Sequence, residues 1–260
     1  MFEGVPTMYA MMLADPGLDS FDLSSLTRCT VGGQTIATSV MNAWEACSQA
    51  PLIELWGMTE LAGLGTTHAL YAPNVHGSID VAMPGVEVRV GKFDDPAATM
   101  PPGESGELMV RGPIVMLGYY GDDTATAAAI EEDGWLHTGD VAVSDEFGRY
   151  YIVDRRKDMI ITAGYNVYPA EIERVVAAHP AVAMVAVGAE TDALKGELAR
   201  AYDVLRTDAE ATEAEIIEFC RPHLASYKLP PVGAIRSRLA EDLNRQDHAP
   251  RATTTRLKFP

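Results

Sequence analysis

The sequence predicts a mixed fold, α/β near its start and α+β near its end, joined by a stretch rich in β-strands. Between residues 21 and 71, short apolar runs alternate with glycine loops and one helical pattern. Between residues 77 and 153, runs of alternating apolar and polar residues recur at the spacing of strands. From residue 155 onwards, helical patterns flank apolar runs, which is typical of a small α+β unit.

In the first stretch we predict two strands, at residues 26–31 and 52–56. The glycine pair at 32–33 ends the first strand, and Gly57 directly follows the second. Ser39 can cap the helix between them, because a serine oxygen can accept a hydrogen bond from a free N–H of the first turn. Turns that follow buried strands are where α/β proteins usually place ligand-binding residues.

The second stretch predicts antiparallel strands. Val86, Val88 and Val90 alternate with polar residues, as expected for a half-buried strand. Further strands are predicted in GESGELMVRGP, WLHTGDVAV and GRYYIVD, interrupted by one alanine-rich helix that either Asp122 or Asp123 can cap.

The third stretch predicts two helices around two strands. Pro169 is suited to the first turn of a helix, and Thr212 with Glu215 forms a capping box that opens another. VAMVAVGA predicts a buried strand, and residues 198–205 predict its neighbour. The segment that follows residue 231 is basic and lacks a clear period.

Composition excludes several classes of protein. The net charge of −17 argues against nucleic-acid binding, because the chain has no basic excess to displace phosphate counterions. Three widely spaced cysteines suggest neither a disulfide framework nor a zinc site. Neither a signal peptide nor an apolar run long enough to span a membrane is present in the sequence, so we expect a cytoplasmic protein.

Three motifs carry the functional prediction: LIELWGMTE, LHTGD and VDRRKDMIITAGYNVYPAEIE. Taken alone, each could be a strand end, a polar turn or a solvated charge run. In this order and spacing, together with VGGQTI, PPGESGELMVRGPIVMLGYY and LASYKLP, they resemble the adenylate-forming superfamily. This superfamily includes acyl-CoA synthetases, aryl-CoA ligases, luciferases and peptide-synthetase adenylation domains. The resemblance extends over residues 5–231.

The resemblance implies a domain organisation. Residues 1–154 would be the C-terminal part of the large AMP-binding domain, with a partial layer of sheet and helix and a β-barrel-like subdomain. Residues 155–231 would be the small α+β C-terminal domain, and residues 232–260 an aberrant tail.

The resemblance also implies an ATP/AMP site. Thr59 matches a residue that hydrogen-bonds the α-phosphate, and Glu60 one that helps to hold Mg²⁺, a cation that prefers carboxylate oxygens. Both are the residues that we expect to act in catalysis. Trp56 matches an aromatic residue that lies against adenine, and Gly57 leaves room for the base. The positions implied to contact the nucleotide within these turns are Gly33, Gln34, Leu55, Trp56, Gly57 and Thr59.

Four later positions complete the implied site. Asp140 matches the acid that accepts both ribose hydroxyls, and Arg155 the arginine on the ribose and phosphate side. Lys157 matches the hinge about which the small domain rotates, and Gly164 lies in the loop that admits coenzyme A. We expect His137 to be a packing or turn residue.

The sequence departs from the family in two places. The family's phosphate loop does not occur in it, and the strands that should flank residues 26–31 and 52–56 are expected to be missing, which would leave apolar edges uncovered. The catalytic lysine expected after YKLP is also absent. With suitable synonymous codons, residues 239–250 read one base forward give LPRTSTGKITR, so we expect a frameshift between Pro230 and Leu239, with the lysine hidden across Gln246 and Asp247.

The implied parent activity joins a fatty or other carboxylic acid to ATP, giving an acyl-adenylate, and then passes the acyl group to coenzyme A. We expect this fragment to be poorly active alone, and a separately encoded N-terminal half could be its partner. A non-catalytic remnant, or a nucleotide-binding or partner-binding module, is an alternative from another class. An amino-acid-adenylating domain is the alternative enzyme.

Overall fold

The computed structural model describes residues 1–69, 71, 73–206 and 209–230, and the backbone alone at 235–237. The chain forms two compact units, Met1–Lys157 and Asp158–Pro260. The second unit begins shortly after the start that the sequence predicted at Arg155.

The first unit opens with a five-stranded sheet in the order β1-β2-β3-β4-β5. The strands β1 (Phe2–Gly4), β2 (Cys29–Val31) and β3 (Leu52–Trp56) are parallel. The antiparallel strands β4 (Thr66–Thr67) and β5 (Val81–Ala82) extend the sheet on the far side of β3. The expectation of uncovered edges was therefore wrong for both central strands, because β1 pairs with β2 and β4 pairs with β3.

Two helices pack with this sheet: α1 (Pro6–Ala14) and α2 (Thr38–Ser48). Tyr9 and Trp44 meet edge to face, with ring centroids 5.0 Å apart, in a core that also contains Met41 and Leu52. The helix α2 starts two residues earlier than a Ser39 cap implies, at Thr38, and Ala37 is its cap residue without a side-chain hydrogen bond. Ser39 therefore does not cap it.

The second sheet of this unit is an antiparallel meander. It consists of β6 (Glu87–Gly91), β7 (Gly106–Arg111), β8 (Leu136–Ser144) and β9 (Tyr150–Arg155), in that order. The short helix α3 (Asp123–Ala129) lies between β7 and β8 in the chain. The carboxylate of Asp122 caps it by accepting a hydrogen bond from the Ala125 N–H at 2.8 Å.

The second unit has a sheet in the order β11-β10-β13-β12 with two helices. The strands are β10 (Ile160–Thr162), β11 (Tyr165–Val167), β12 (Val182–Asp192) and β13 (Gly196–Leu205). The helices are α4 (Pro169–Ala177), which begins at the predicted proline, and α5 (Glu213–Cys220), which has the predicted capping box. They enclose a core containing Ile172, Val176 and Ile216.

The strand β12 corrects one prediction, because most of its side chains are partly or fully exposed, including Met184 at 61%. An apolar run on the outer strand of a sheet need not be buried on both faces.

The predicted aberrant tail, residues 232–260, falls largely outside the described residues, including the positions of the hidden lysine, Gln246 and Asp247. The one described piece is the short strand β14 (Ile235–Ser237), which pairs parallel with β13. No helix among the described residues has the length and apolar character needed to cross a membrane.

Candidate nucleotide site

Two predicted turns lie at the same edge of the first sheet. Because β2 and β3 are parallel, the turns after Val31 and after Trp56 leave the sheet at the same end. A Cβ atom on Gly32 would lie 3.0 Å from the Leu55 carbonyl oxygen, so the glycine turn runs directly against the end of β3. Gly33 has a φ of +84° and is exposed, as is Gln34. Both are accessible to a ligand.

Trp56 is a packed residue rather than an open platform. Its side chain is 8% exposed, and a Cβ atom on Gly65 would come within 2.6 Å of the ring. The sequence predicted a ring whose face receives adenine, whereas in the structure the indole packs within the unit's core. Its one polar atom, Nε1, donates a hydrogen bond to Asp140 Oδ2 at 2.8 Å.

The fold itself requires a glycine at position 57. A Cβ atom at this position would lie 1.6 Å from the Gly63 carbonyl oxygen, so no other residue fits without moving the backbone. The space that the sequence assigned to an approaching base is taken by residue 63. This close contact shapes the 3-10 turn Thr59–Leu61, which carries the two predicted catalytic residues.

Thr59 and Glu60 lie at the surface of that turn. Thr59 is exposed, and Glu60 is half-buried. The Tyr119 hydroxyl donates to Glu60 Oε1 at 3.0 Å, and this hydrogen bond raises the pKa of the tyrosine. The Glu60 carboxylate fits Mg²⁺, which commonly takes one or two protein carboxylates and completes its shell with phosphates and water. Within the described residues no cluster of three or more acidic, His or Cys side chains could hold a metal without such help.

Asp140 is the centre of the site. It is 5% exposed and pairs across the strands β8 and β9 with Arg155, whose Nε lies 2.6 Å from Asp140 Oδ1. Burial raises the pKa of Asp140, while the Trp56 hydrogen bond and the Arg155 charge pull it down. Although the ion pair is close, no aligned hydrogen bond reaches Oδ1 from any described residue. A buried carboxylate oxygen with free lone pairs can accept a ligand hydroxyl.

The LHTGD motif holds Asp140 through a β-bulge. The register between β7 and β8 shifts between Glu107 and Met109. The Thr138 hydroxyl donates to the Leu108 carbonyl at 2.7 Å and accepts from the Asp140 N–H at 3.1 Å. Gly139, with a φ of +71°, makes the turn. A bulge of this kind re-aims one side chain, here the carboxylate of Asp140.

A second buried carboxylate lies on the other side of this turn. Glu107 has a side chain that is 3% exposed and binds three groups. Its Oε1 accepts from the Gly139 N–H at 3.2 Å, and its Oε2 accepts from Arg156 Nη1 at 2.7 Å. His137 Nδ1 lies 3.1 Å from the same Oε2.

The remaining predicted positions lie at the end of the first unit and within the second. Lys157 is exposed and is the last residue of the first unit. Gly164, with a φ of +84°, follows Ala163, with a φ of +50°, in the two-residue turn between β10 and β11. Two consecutive positive φ angles define the tight hairpin turn that favours glycine.

The structure thus places Asp140 in contact with both Trp56 and Arg155, and it places the Gly32–Gly33 turn beside Leu55. Gly164 belongs to the other unit. Sequence reasoning missed Glu107, Arg156 and Tyr119. Arg156 could have been noticed as the second arginine of the DRRKD motif, but nothing in the sequence marks Glu107 as buried.

Comparison with known proteins identifies two matching families. The family described as AMP-binding enzyme matches residues 1–120, and the family described as AMP-binding enzyme C-terminal domain matches residues 171–242. A long-chain-fatty-acid–CoA ligase of Bacillus subtilis is 36% identical over 239 residues, which cover 92% of this chain and 42% of that protein. The chain therefore spans about two-fifths of the length of the curated relatives that it matches.

Solved structures give the same result. An ATP-bound MatB from Rhodopseudomonas palustris superposes with a TM-score of 0.81 at 30% identity, covering 96% of this chain and 48% of that one. The O-succinylbenzoate coenzyme A synthetase MenE of Bacillus subtilis, in complex with ATP and magnesium, gives a TM-score of 0.76 at 31% identity. It covers 91% of this chain and 47% of MenE.

Proposed function

The chain belongs to the AMP-binding enzyme family, of the acid–CoA ligase type, and from that membership we propose that its first unit binds the adenylate part of ATP, AMP or an acyl-adenylate around Asp140. The Asp140 carboxylate accepts hydrogen bonds from the ribose hydroxyls, and Arg155 lies on the ribose and phosphate side. The turns that carry Gly33, Gln34 and Leu55 border the base.

The observation that supports this proposal most is the state of Asp140 Oδ1. The atom is buried, carries no aligned hydrogen bond from a described residue and sits beside an arginine. Apart from the Arg155 charge, no hydrogen bond from a described residue occupies this oxygen, so a ribose hydroxyl can donate to it, and a hydrogen bond to a charged group contributes roughly 1.5–3 kcal/mol. The other oxygen is already held by Trp56, so the carboxylate is oriented before the ligand arrives.

Thr59 and Glu60 supply the phosphate and metal side of the proposed site. A bound Mg²⁺ would offset the negative charge of the phosphates, and the Glu60 carboxylate would hold it from the protein side. The Tyr119 hydroxyl orients that carboxylate. The Thr59 hydroxyl is free to donate to the α-phosphate from the surface of the turn.

For the whole protein we propose the two-step ligation of a carboxylic acid to coenzyme A, with a fatty acid as the substrate class. The long-chain specificity of the Bacillus subtilis relative supports the substrate class. Gly164 would lie on the coenzyme A side, since the open turn leaves space for a thiol-bearing chain. Lys157 would be the hinge between the two units.

Isothermal titration calorimetry with AMP tests the proposal. The 260-residue chain should bind AMP, and Asp140→Ala should weaken binding about tenfold or more, because charge-assisted hydrogen bonds are worth roughly 1.5–3 kcal/mol each. Asp94→Ala is the matched control, since Asp94 is an exposed carboxylate of the same unit and its ion pair with Lys92 is at the surface.

Equal affinities for the parent chain and the Asp140→Ala variant would refute the assignment of Asp140. A folded chain that binds no AMP at all would contradict the proposal and favour the alternative that the protein is a non-catalytic remnant.

A further inference from the structure

Two consecutive arginines, the last residue of β9 and the residue after it, hold two buried carboxylates near one turn. Arg155 pairs with Asp140, and Arg156 donates to Glu107 at 2.7 Å. Gly139 lies between the two acids, and its N–H donates to Glu107. Of these four residues, the family resemblance gives roles only to Asp140 and Arg155. The pair of Glu107 and Arg156 is therefore unexplained.

Glu107 is buried more deeply than a surface ion pair requires. Its side chain is 3% exposed, whereas that of its partner Arg156 is 45% exposed. Burying a carboxylate costs several kcal/mol unless it is fully hydrogen-bonded. Glu107 meets this requirement with the Gly139 N–H, Arg156 and His137, and the last is also held by Glu131 at 3.2 Å.

These contacts fix both partners of the Asp140–Arg155 pair. The Gly139 N–H lies one residue before Asp140, and Arg156 lies one residue after Arg155. A single carboxylate therefore sets the position of the two backbone segments that carry the pair. Loosening the Glu107 carboxylate would let the two segments move apart, although Asp140 and Arg155 would both still be present.

We propose that Glu107 is a positioning residue of the nucleotide site, acting through Gly139 and Arg156 to align Asp140 and Arg155 with the ribose. This inference rests on the proposed function and deepens it. It predicts that Glu107 and Arg156 act mainly on the affinity for the ribose hydroxyls, through Asp140, and much less on the contacts to base and phosphate.

The test compares AMP with 2′,3′-dideoxy-AMP in calorimetry with the full chain. The parent chain should prefer AMP about tenfold or more, because the dideoxy ligand has no ribose hydroxyl to donate to Asp140. Glu107→Gln should lower AMP affinity about three- to tenfold and change dideoxy-AMP affinity less than about twofold, so the preference shrinks. Arg156→Met removes the same ion pair from its exposed end and should give the same pattern even if Glu107→Gln folds poorly.

Glu87→Gln is the matched control. Glu87 is on β6 of the same unit and is paired with Arg111 at 2.8 Å, but its side chain is 60% exposed and it does not contact Gly139 or Arg156. This variant should leave both affinities unchanged. In an Asp140→Ala background, Glu107→Gln should have no further effect on AMP affinity, since residues that act through one group are not additive.

A Glu107→Gln or Arg156→Met variant that weakens both ligands equally would show an ordinary structural role and overturn the inference alone. Variants that bind both ligands like the parent would do the same. A parent chain that binds AMP no better than dideoxy-AMP would overturn the ribose role of Asp140, and the inference would fall with it.

Discussion

At the scale of single residues, the Trp56–Asp140 hydrogen bond joins two motifs that lie 84 residues apart in the chain. The sequence motifs identified both residues, but not the bond between them. Register and side-chain direction in two separate sheets decide that contact, and neither can be read from local pattern. The same limit explains why Glu107 was missed.

The Trp56 indole N–H should contribute to stability through Asp140. Trp56→Phe leaves a buried carboxylate with one donor fewer, so it should lower the free energy of unfolding by about 1.5–3 kcal/mol beyond the effect of lost packing. The measurement is denaturant unfolding of the full chain.

Trp44→Phe is the matched control for this prediction. Trp44 is 2% exposed, and its Nε1 finds no hydrogen-bond partner among the described residues. It therefore reports the change from indole to phenyl without the loss of a hydrogen bond. Equal destabilisation by the two substitutions would show that the Trp56–Asp140 bond contributes nothing.

We predict from the burial of Asp203 that the stability of the second unit depends on pH. It is fully buried on β13, and neither carboxylate oxygen has a hydrogen-bond partner in the described part of the chain. Burial raises the pKa of Asp203 and the charge of Glu213 adds to the increase, while the residue's own backbone N–H and the charge of His179 oppose it. The folded unit thus favours the protonated acid, and stability falls as pH rises through the raised pKa.

Asp203→Asn, a neutral isostere of the protonated acid, should therefore stabilise the second unit at pH 8. The expected gain is about 1 kcal/mol or more, because the substitution removes the buried charge and leaves a neutral polar group in its place. At pH 4 the gain should shrink. Hydrogen exchange of β13 amides at the two pH values measures it, and a gain that is larger at pH 4 would contradict the account.

At the scale of elements, the fold could be predicted where local signals were strong. The strand β3, the proline at the start of α4 and the capping box of α5 all agree with the sequence patterns. The prediction of a buried β12 was wrong, because an apolar run does not show how many faces of a strand are covered. Strand β1 was not predicted, since three residues carry no period.

The turn after β3 should be sensitive to a single methyl group. Gly57→Ala would place its Cβ atom against the Gly63 carbonyl oxygen, so the turn that carries Thr59 and Glu60 must shift. We expect a loss of stability of about 2 kcal/mol or more, as for other severe backbone clashes. We also expect weaker AMP binding, measured by calorimetry.

Gly188→Ala is the control for this turn. Apart from its chain neighbours, no described residue has an atom within 4 Å of a Cβ at Gly188, which lies in the strand β12, so this substitution should be close to neutral. A Gly57→Ala variant as stable as Gly188→Ala would show that the Gly63 contact does not constrain the turn.

At the scale of the whole molecule, each unit has a hydrophobic core of its own. One core surrounds Ile172 and Ile216 in the second unit, and others surround Leu108 and Trp44 in the first. Units with separate cores can unfold separately. We expect Trp56→Phe to shift the unfolding of the first unit only, and Asp203→Asn that of the second only, when hydrogen exchange is followed strand by strand.

The central claim is that the turns at Gly33–Gln34, Thr59–Glu60 and Gly139–Asp140 form one adenylate site in the first unit. Hydrogen exchange of the full chain with and without saturating AMP tests it most directly. We predict slower exchange at the amides of all three turns when AMP is bound, and we predict that Asp140→Ala abolishes this slowing. Exchange that AMP leaves unchanged at these turns, or slows only in other parts of the chain, would contradict it.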